Sequence, residues 1–132
     1  MSWPSRLMIS AGLGALALAT ALHAALVFGA PQVWPALIHL LLFGWITGLI
    51  YGVNFHTLPL FTGRDFPWPA LQIAQWALWL SGLAAVVVGY LWRQPALRGA
   101  GLILELAASI VFMVNVFGLL RKGPERGWRM PN

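Results

Sequence analysis

The stretch His39-Leu-Leu-Leu-Phe-Gly44-Trp45-Ile-Thr-Gly48-Leu-Ile-Tyr51-Gly52-Val-Asn54-Phe-His56-Thr-Leu-Pro59-Leu-Phe-Thr-Gly63-Arg64 decides the reading of this chain. It is apolar for about 20 residues, the length a helix needs to cross a bilayer. A histidine stands near each end, and polar groups at membrane depth are costly unless they have a role. At the helical rise His39 and His56 lie roughly 25 Å apart, so they cannot share one ligand. Gly44, Gly48 and Gly52 recur every four residues and form a smooth stripe on which another helix can pack closely.

The rest of the chain has the same character. Its 132 residues are 60% hydrophobic and only 8% charged, against about 25% charged for a soluble domain. The mean hydropathy is +0.78. These values describe an integral membrane protein of one domain. Cysteine is absent, which excludes disulfides, thiolate metal sites and cysteine nucleophiles. The net charge of +5 is not a nucleic-acid signature, because the basic residues flank apolar runs and act as topology signals.

Four apolar runs predict helices over about 7–29, 35–58, 70–92 and 96–120. The first is too long for the apolar core of a signal peptide and reads as an uncleaved helix. Trp34-Pro35 opens the second, since proline suits a first helical turn, and Pro59 marks its end. Residues 121–132 form a basic tail. Short loops give an all-α, four-helix up-down bundle within the lipid bilayer. Arg6, Arg64, Arg121, Lys122, Arg126 and Arg129 then share one side, and Arg93 and Arg98 the other. The positive-inside rule puts both termini in the cytoplasm of a multi-pass protein of the bacterial plasma membrane.

On that topology His23 and His39 stand at one depth near the outer side, five or six residues from their connecting turn. Neutral imidazole is a common metal ligand, and haem iron takes axial histidines from helices. Alternatively, each bonds separately to a carbonyl or serine of a neighbouring helix. Glu105 is the acid deepest in a span, and it either bonds a neighbour while protonated, relays protons or binds an ion. Ser109 and Asn115 are candidates for interhelical hydrogen bonds.

His39, Gly44, Trp45, Gly52 and Pro59 carry a resemblance. Their spacing is similar to the tenth helix of the catalytic subunit of haem–copper oxidases, closest to the C-type oxidases and nitric-oxide-reductase relatives. In the following helix Leu71, Trp79 and Gly82 also fall roughly in place, with Gln75 where the family often has histidine. The likeness spans the last four helices of a twelve-helix fold and is sharp over about 25 residues. It implies that His39 is a ligand of low-spin haem b. Leu37 stands where the oxygen-reducing haem would need histidine, so a stand-alone oxidase is not expected. It also implies that Arg93 and Arg98 hold haem propionates. The second axial ligand is either His23, by splaying of the helices, or a residue of a second chain across a homodimer, for which the glycine stripe offers one surface. The stripe serves packing inside one bundle equally well. His56, where the family has an aromatic or small residue, is an interfacial histidine or a further metal ligand.

The expected role is electron transfer, haem handling or sensing, with a respiratory-chain redox partner. The rival reading is a cofactor-free structural or assembly subunit of a respiratory complex. A metal-ion or small-molecule transporter using Glu105 and the histidines ranks below both.

Overall fold

The computed structural model describes residues 2–121, and every regular element in them is helical. Four helices are long and apolar enough to cross a membrane: α1 (Trp3–Val27), α2 (Pro31–Thr62), α3 (Pro69–Leu91) and α4 (Pro95–Arg121). The expected basic tail lies outside the described residues beyond Arg121.

Proline sits in the first turn of every helix, where its missing N–H costs nothing and its fixed φ is already helical. The ends have different causes. After α1, Gly29 adopts φ +91°, and the amides of Gly29 and Ala30 turn back onto Leu26 and Ala25. After α2, Gly63 takes the left-handed conformation, and the Arg64 amide bonds to the Pro59 carbonyl. Pro59 therefore does not end α2, as the sequence suggested. The helix runs through it for one more turn until a residue suited to positive φ arrives.

α2 is not uniform. An α-helical turn, Trp34–His39, is followed by a π-helical segment, Leu40–Ile46, before α-geometry resumes at Thr47–Thr62. The Thr47 hydroxyl donates to the Leu42 carbonyl five residues back, at 2.9 Å, as the wide turn allows. π-segments are uncommon and concentrate at functional sites. This one begins at the residue after His39.

The helices pack as two antiparallel hairpins joined through α2 and α3. In the first, Gly12 faces the backbone of Gly44, Trp45 and Gly48, and a Cβ on Gly48 would lie 3.1 Å from the Gly12 Cα. Gly44 meets Ala15, and Gly52 meets Met8 and Ile9. The glycine stripe is thus covered within the chain and offers no surface to a second copy. In the second hairpin, Gly82, Gly89 and Gly101 bring α3 and α4 together, Gly101 lying directly on the backbone of Gly82 and Val86. Trp79 lies against Gly48 and ties the hairpins.

Two apolar cores result. One holds Ala15, Ala19, Leu37, Leu40, Leu83 and Val87 toward the His39 end. The other holds Met8, Tyr51, Phe55, Phe66, Trp79 and Leu119 toward the Arg64 end. The spans of α1 and α4 are the least buried of the four, and they present Leu13, Leu18, Ile103, Leu106, Ile110 and Phe117 outward. Such surfaces are compatible with lipid contact.

Candidate functional site

His39 is half-buried on the last residue of the first α-helical turn of α2. Its Nδ1 lies 2.8 Å from the Pro35 carbonyl oxygen. A carbonyl can only accept, so Nδ1 carries the proton. In the neutral imidazole Nε2 then holds the free lone pair, the tautomer a metal-ligating histidine needs. A backbone carbonyl behind the ring also fixes its orientation.

Aromatic rings flank the imidazole. Phe43 stacks on it at 5.5 Å with an interplanar angle of 18°, and Tyr90 of α3 lies at 4.9 Å, tilted by 40°. The Arg98 guanidinium stands 5.0 Å from the centre of the same Tyr90 ring. A cation over a phenol face is a favourable arrangement, and arginine is the usual partner. His39, Tyr90 and Arg98 thus form one continuous group drawn from three helices.

The neighbouring charges are of one sign. The loops at this end, residues 28–30 and 92–94, contain no acidic residue. Arg93 is exposed in the α3–α4 turn with φ +56°, and Arg98 is half-buried one turn into α4. Guanidinium groups suit carboxylates through their fork of donors.

No family model, curated protein or solved structure matches this chain. What the site can do rests on its own geometry.

The depth expected of His23 follows from the α1–α2 packing. Ala15 faces Gly44, Gly12 faces Gly48 and Met8 faces Gly52, which carries His23 to the level of Leu37, two residues from His39. The direction does not follow. Leu37 packs in the core with Ala19, whereas His39 lies about 200° around the helix from it and is turned to α3. His23 is exposed on α1. The two imidazoles share a level but do not face one another.

The other expected residues lie apart from this group. His56 is half-buried at the opposite end of α2. Glu105 and Asn115 are buried in the α3–α4 seam, one Glu105 oxygen and both Asn115 side-chain atoms having no partner. Ser109 donates to the Glu105 backbone carbonyl and so accepts from the Tyr51 hydroxyl, at 3.0 Å. Among the described residues, no three His, Asp or Glu side chains cluster to hold a metal ion. A site here would depend on one imidazole and a ligand with coordination of its own.

Two members of the group escaped sequence reasoning. Tyr90 near a helix end reads as an interfacial anchor. Pro35, the residue four before His39, reads only as a helix start, although its carbonyl is in reach of any histidine at that spacing.

Proposed function

We propose that this is a membrane protein that binds haem b through His39 and serves electron transfer, haem handling or sensing. One observation carries the reading. Pro35 holds the His39 Nδ1–H, so the neutral ring keeps its lone pair on Nε2. The residues present fit the group in two further respects. Phe43 and Tyr90 supply apolar ring surface beside the imidazole, and Arg98, held on Tyr90, supplies a cation for a propionate. Bound there, haem would supply one-electron chemistry. The chain's own part is to orient the imidazole, exclude water with aromatic rings and place a positive charge at this end.

The candidates for the second axial position are His23 and the His39 of a second copy. Because His23 does not face His39 within one chain, either would act across a homodimer. The resemblance to haem–copper oxidase helices supports His39 by position, and the geometry around its Nδ1 supports it separately. The six-to-two split of basic residues supports cytoplasmic termini in a bacterial plasma membrane, with the His39 end outside. A respiratory redox partner would then approach that end.

The test is the visible spectrum of protein purified with an adequate haem supply. A sharp Soret band with split α and β bands on reduction is expected, and His39→Ala should abolish it. A colourless protein that cannot be reconstituted with hemin defeats the proposal. A second reading, a cofactor-free subunit of a larger membrane complex, is favoured by the broad apolar flanks of α1 and α4. It predicts a colourless protein that copurifies with other membrane subunits.

A further inference from the structure

The second hairpin buries polar groups that the haem reading does not use. Gln75 and Asn115 are fully buried, and all four of their amide atoms lack a hydrogen-bond partner in the chain. Glu105 is 5% exposed, and its Oε1 is also unpartnered. Each such group is costly in an apolar span unless something bonds to it. Within a membrane, unsatisfied ionisable and amide groups on one seam mark a route for a polar species.

Packing of α3 on α4 orders these groups. Gly82 lies on the Glu105 amide, Gly101 on Val86 and Gly89 on Arg98. Extending that antiparallel register sets Asn115 opposite Gln72, and Gln75 opposite Phe112. Tyr51 reaches in from α2 at the level of Ser109. From the Arg64 end the row therefore runs Gln72 and Asn115, then Gln75, then Tyr51 with Ser109, then Glu105. Successive members are about one helical turn apart, roughly 5 Å. Single buried waters can bridge such steps. Glu105 and Asn115 lie roughly 15 Å apart along α4, too far to share one small cation.

The row is one-sided. Beyond Glu105 toward the His39 end, the buried seam is Gly101, Val86, Val87 and Gly89. We propose that the α3–α4 seam is a proton path that enters at the Arg64 end and terminates at Glu105. A proton from water at that end passes along the row and forms an O–H bond on the Glu105 carboxylate. The same steps in reverse return it. The Ser109 hydroxyl donates to the Glu105 carbonyl at rest, so it must rotate for each passage. Tyr51 is the titratable neighbour that α2 presents, while α3 presents Gly82 and Trp79 at this level. The path needs no haem, and its test is independent of the His39 spectrum.

The test is infrared spectroscopy of the protein in liposomes during transfer to D2O. A carboxylic acid C=O band that disappears in Glu105→Gln is expected, and it should shift as its proton is exchanged. Gln75→Leu and Asn115→Leu should slow that shift by about tenfold or more, while Ile103→Ala on the exposed face of α4 leaves it unchanged. Should a leucine variant fail to fold, Ser109→Ala and Tyr51→Phe each remove one oxygen with little change of volume and carry the same expectation. Absence of a band assignable to Glu105 overturns the proposal. So does exchange at the wild-type rate in folded Gln75, Asn115 and Ser109 variants, which would make the row a polar clasp between helices.

Discussion

The Trp79 indole N–H donates to the Phe43 backbone carbonyl at 2.6 Å, crossing from α3 into the π-helical segment of α2. The wide turn changes the carbonyl directions of Leu40–Ile46, and Phe43 is the one a neighbouring helix reaches. Gly48 makes the approach possible, since a Cβ there would lie 2.9 Å from the Trp79 ring. One indole thus fills the glycine gap and caps the irregular backbone four residues from His39.

Trp79→Phe should keep most of the ring and lose the donor. Leaving the Phe43 carbonyl unpaired in an apolar surrounding should cost about 1–3 kcal/mol. Thermal unfolding in one detergent, compared with wild type, measures this. If His39 binds haem, the same variant should broaden the haem spectrum, because the turn that follows the ligand loses its support.

Glycine contacts differ sharply along the chain, and so should the effects of adding a methyl group. At Gly101 a Cβ would stand 2.7 Å from the Gly82 carbonyl oxygen and the Val86 nitrogen, so α3 and α4 must separate. Gly101→Ala should destabilise by about 1–3 kcal/mol. At Gly14 nothing lies within 4 Å, and alanine is the better helix former by about 1 kcal/mol. Gly14→Ala should be neutral or slightly stabilising in the same unfolding assay.

Much of this architecture was legible in the sequence, for reasons tied to particular residues. Trp34-Pro35 marked the α-helical start of α2, and apolar length marked the four spans, although α1 begins at Trp3, a turn before its apolar run. Pro59 misled because proline forbids only one backbone bond, and Gly63 is the residue that reverses the chain. The π-segment left no pattern in the sequence, and the Trp79 bond to its Phe43 carbonyl comes from another helix. The shared level of His23 and His39 could be counted from their turn. Their facing could not, because it depends on which neighbour each helix face meets, and the His39 ring packs on Tyr90 of α3. Gln75 and Asn115 were visible as polar residues in apolar runs, but their complete burial follows from the glycine-close packing of α3 on α4.

The proposed orientation rests on the sequence. Among the described residues Arg6, Arg64 and Arg121 stand at one end and Arg93 and Arg98 at the other. The up-down topology assigns the remaining basic residues to the Arg64 side. A reporter fused to the C-terminus should behave as cytoplasmic, and a tag inserted between Val27 and Pro31 should be accessible from outside. The reverse pattern would place His39, Arg93 and Arg98 at the cytoplasmic face and remove the expectation of an external redox partner.

The arginines should separate in strength. Arg98 is positioned on the Tyr90 ring beside His39, whereas Arg93 is exposed in the turn. If His39 binds haem as proposed, Arg98→Ala should weaken that binding by about tenfold or more, the loss of one charge-assisted hydrogen bond. Arg93→Ala should have the smaller effect. Tyr90→Leu should fall between them, since it releases Arg98 without removing its charge. Hemin titration followed at the Soret band gives the three affinities.

If His39 binds haem as proposed, the second axial ligand gives the sharpest test of how the site is completed. His23 lies at the level of His39 but is exposed on α1, while the His39 ring is turned to α3. If the His23 of one copy serves the His39 of another, a dimer binds two haems through two equivalent sites. His23→Ala should then convert the spectrum from low-spin to high-spin. Dilution to detergent monomers should do the same for the wild type. Mixing His23→Ala with His39→Ala protein should restore low-spin haem, at one per mixed dimer, because each copy supplies the ligand the other lacks. His56→Ala should leave the spectrum low-spin, since His56 lies roughly 25 Å along α2 from His39. A low-spin spectrum in monomers that survives His23→Ala would exclude His23 and require an axial ligand from another residue of the same chain.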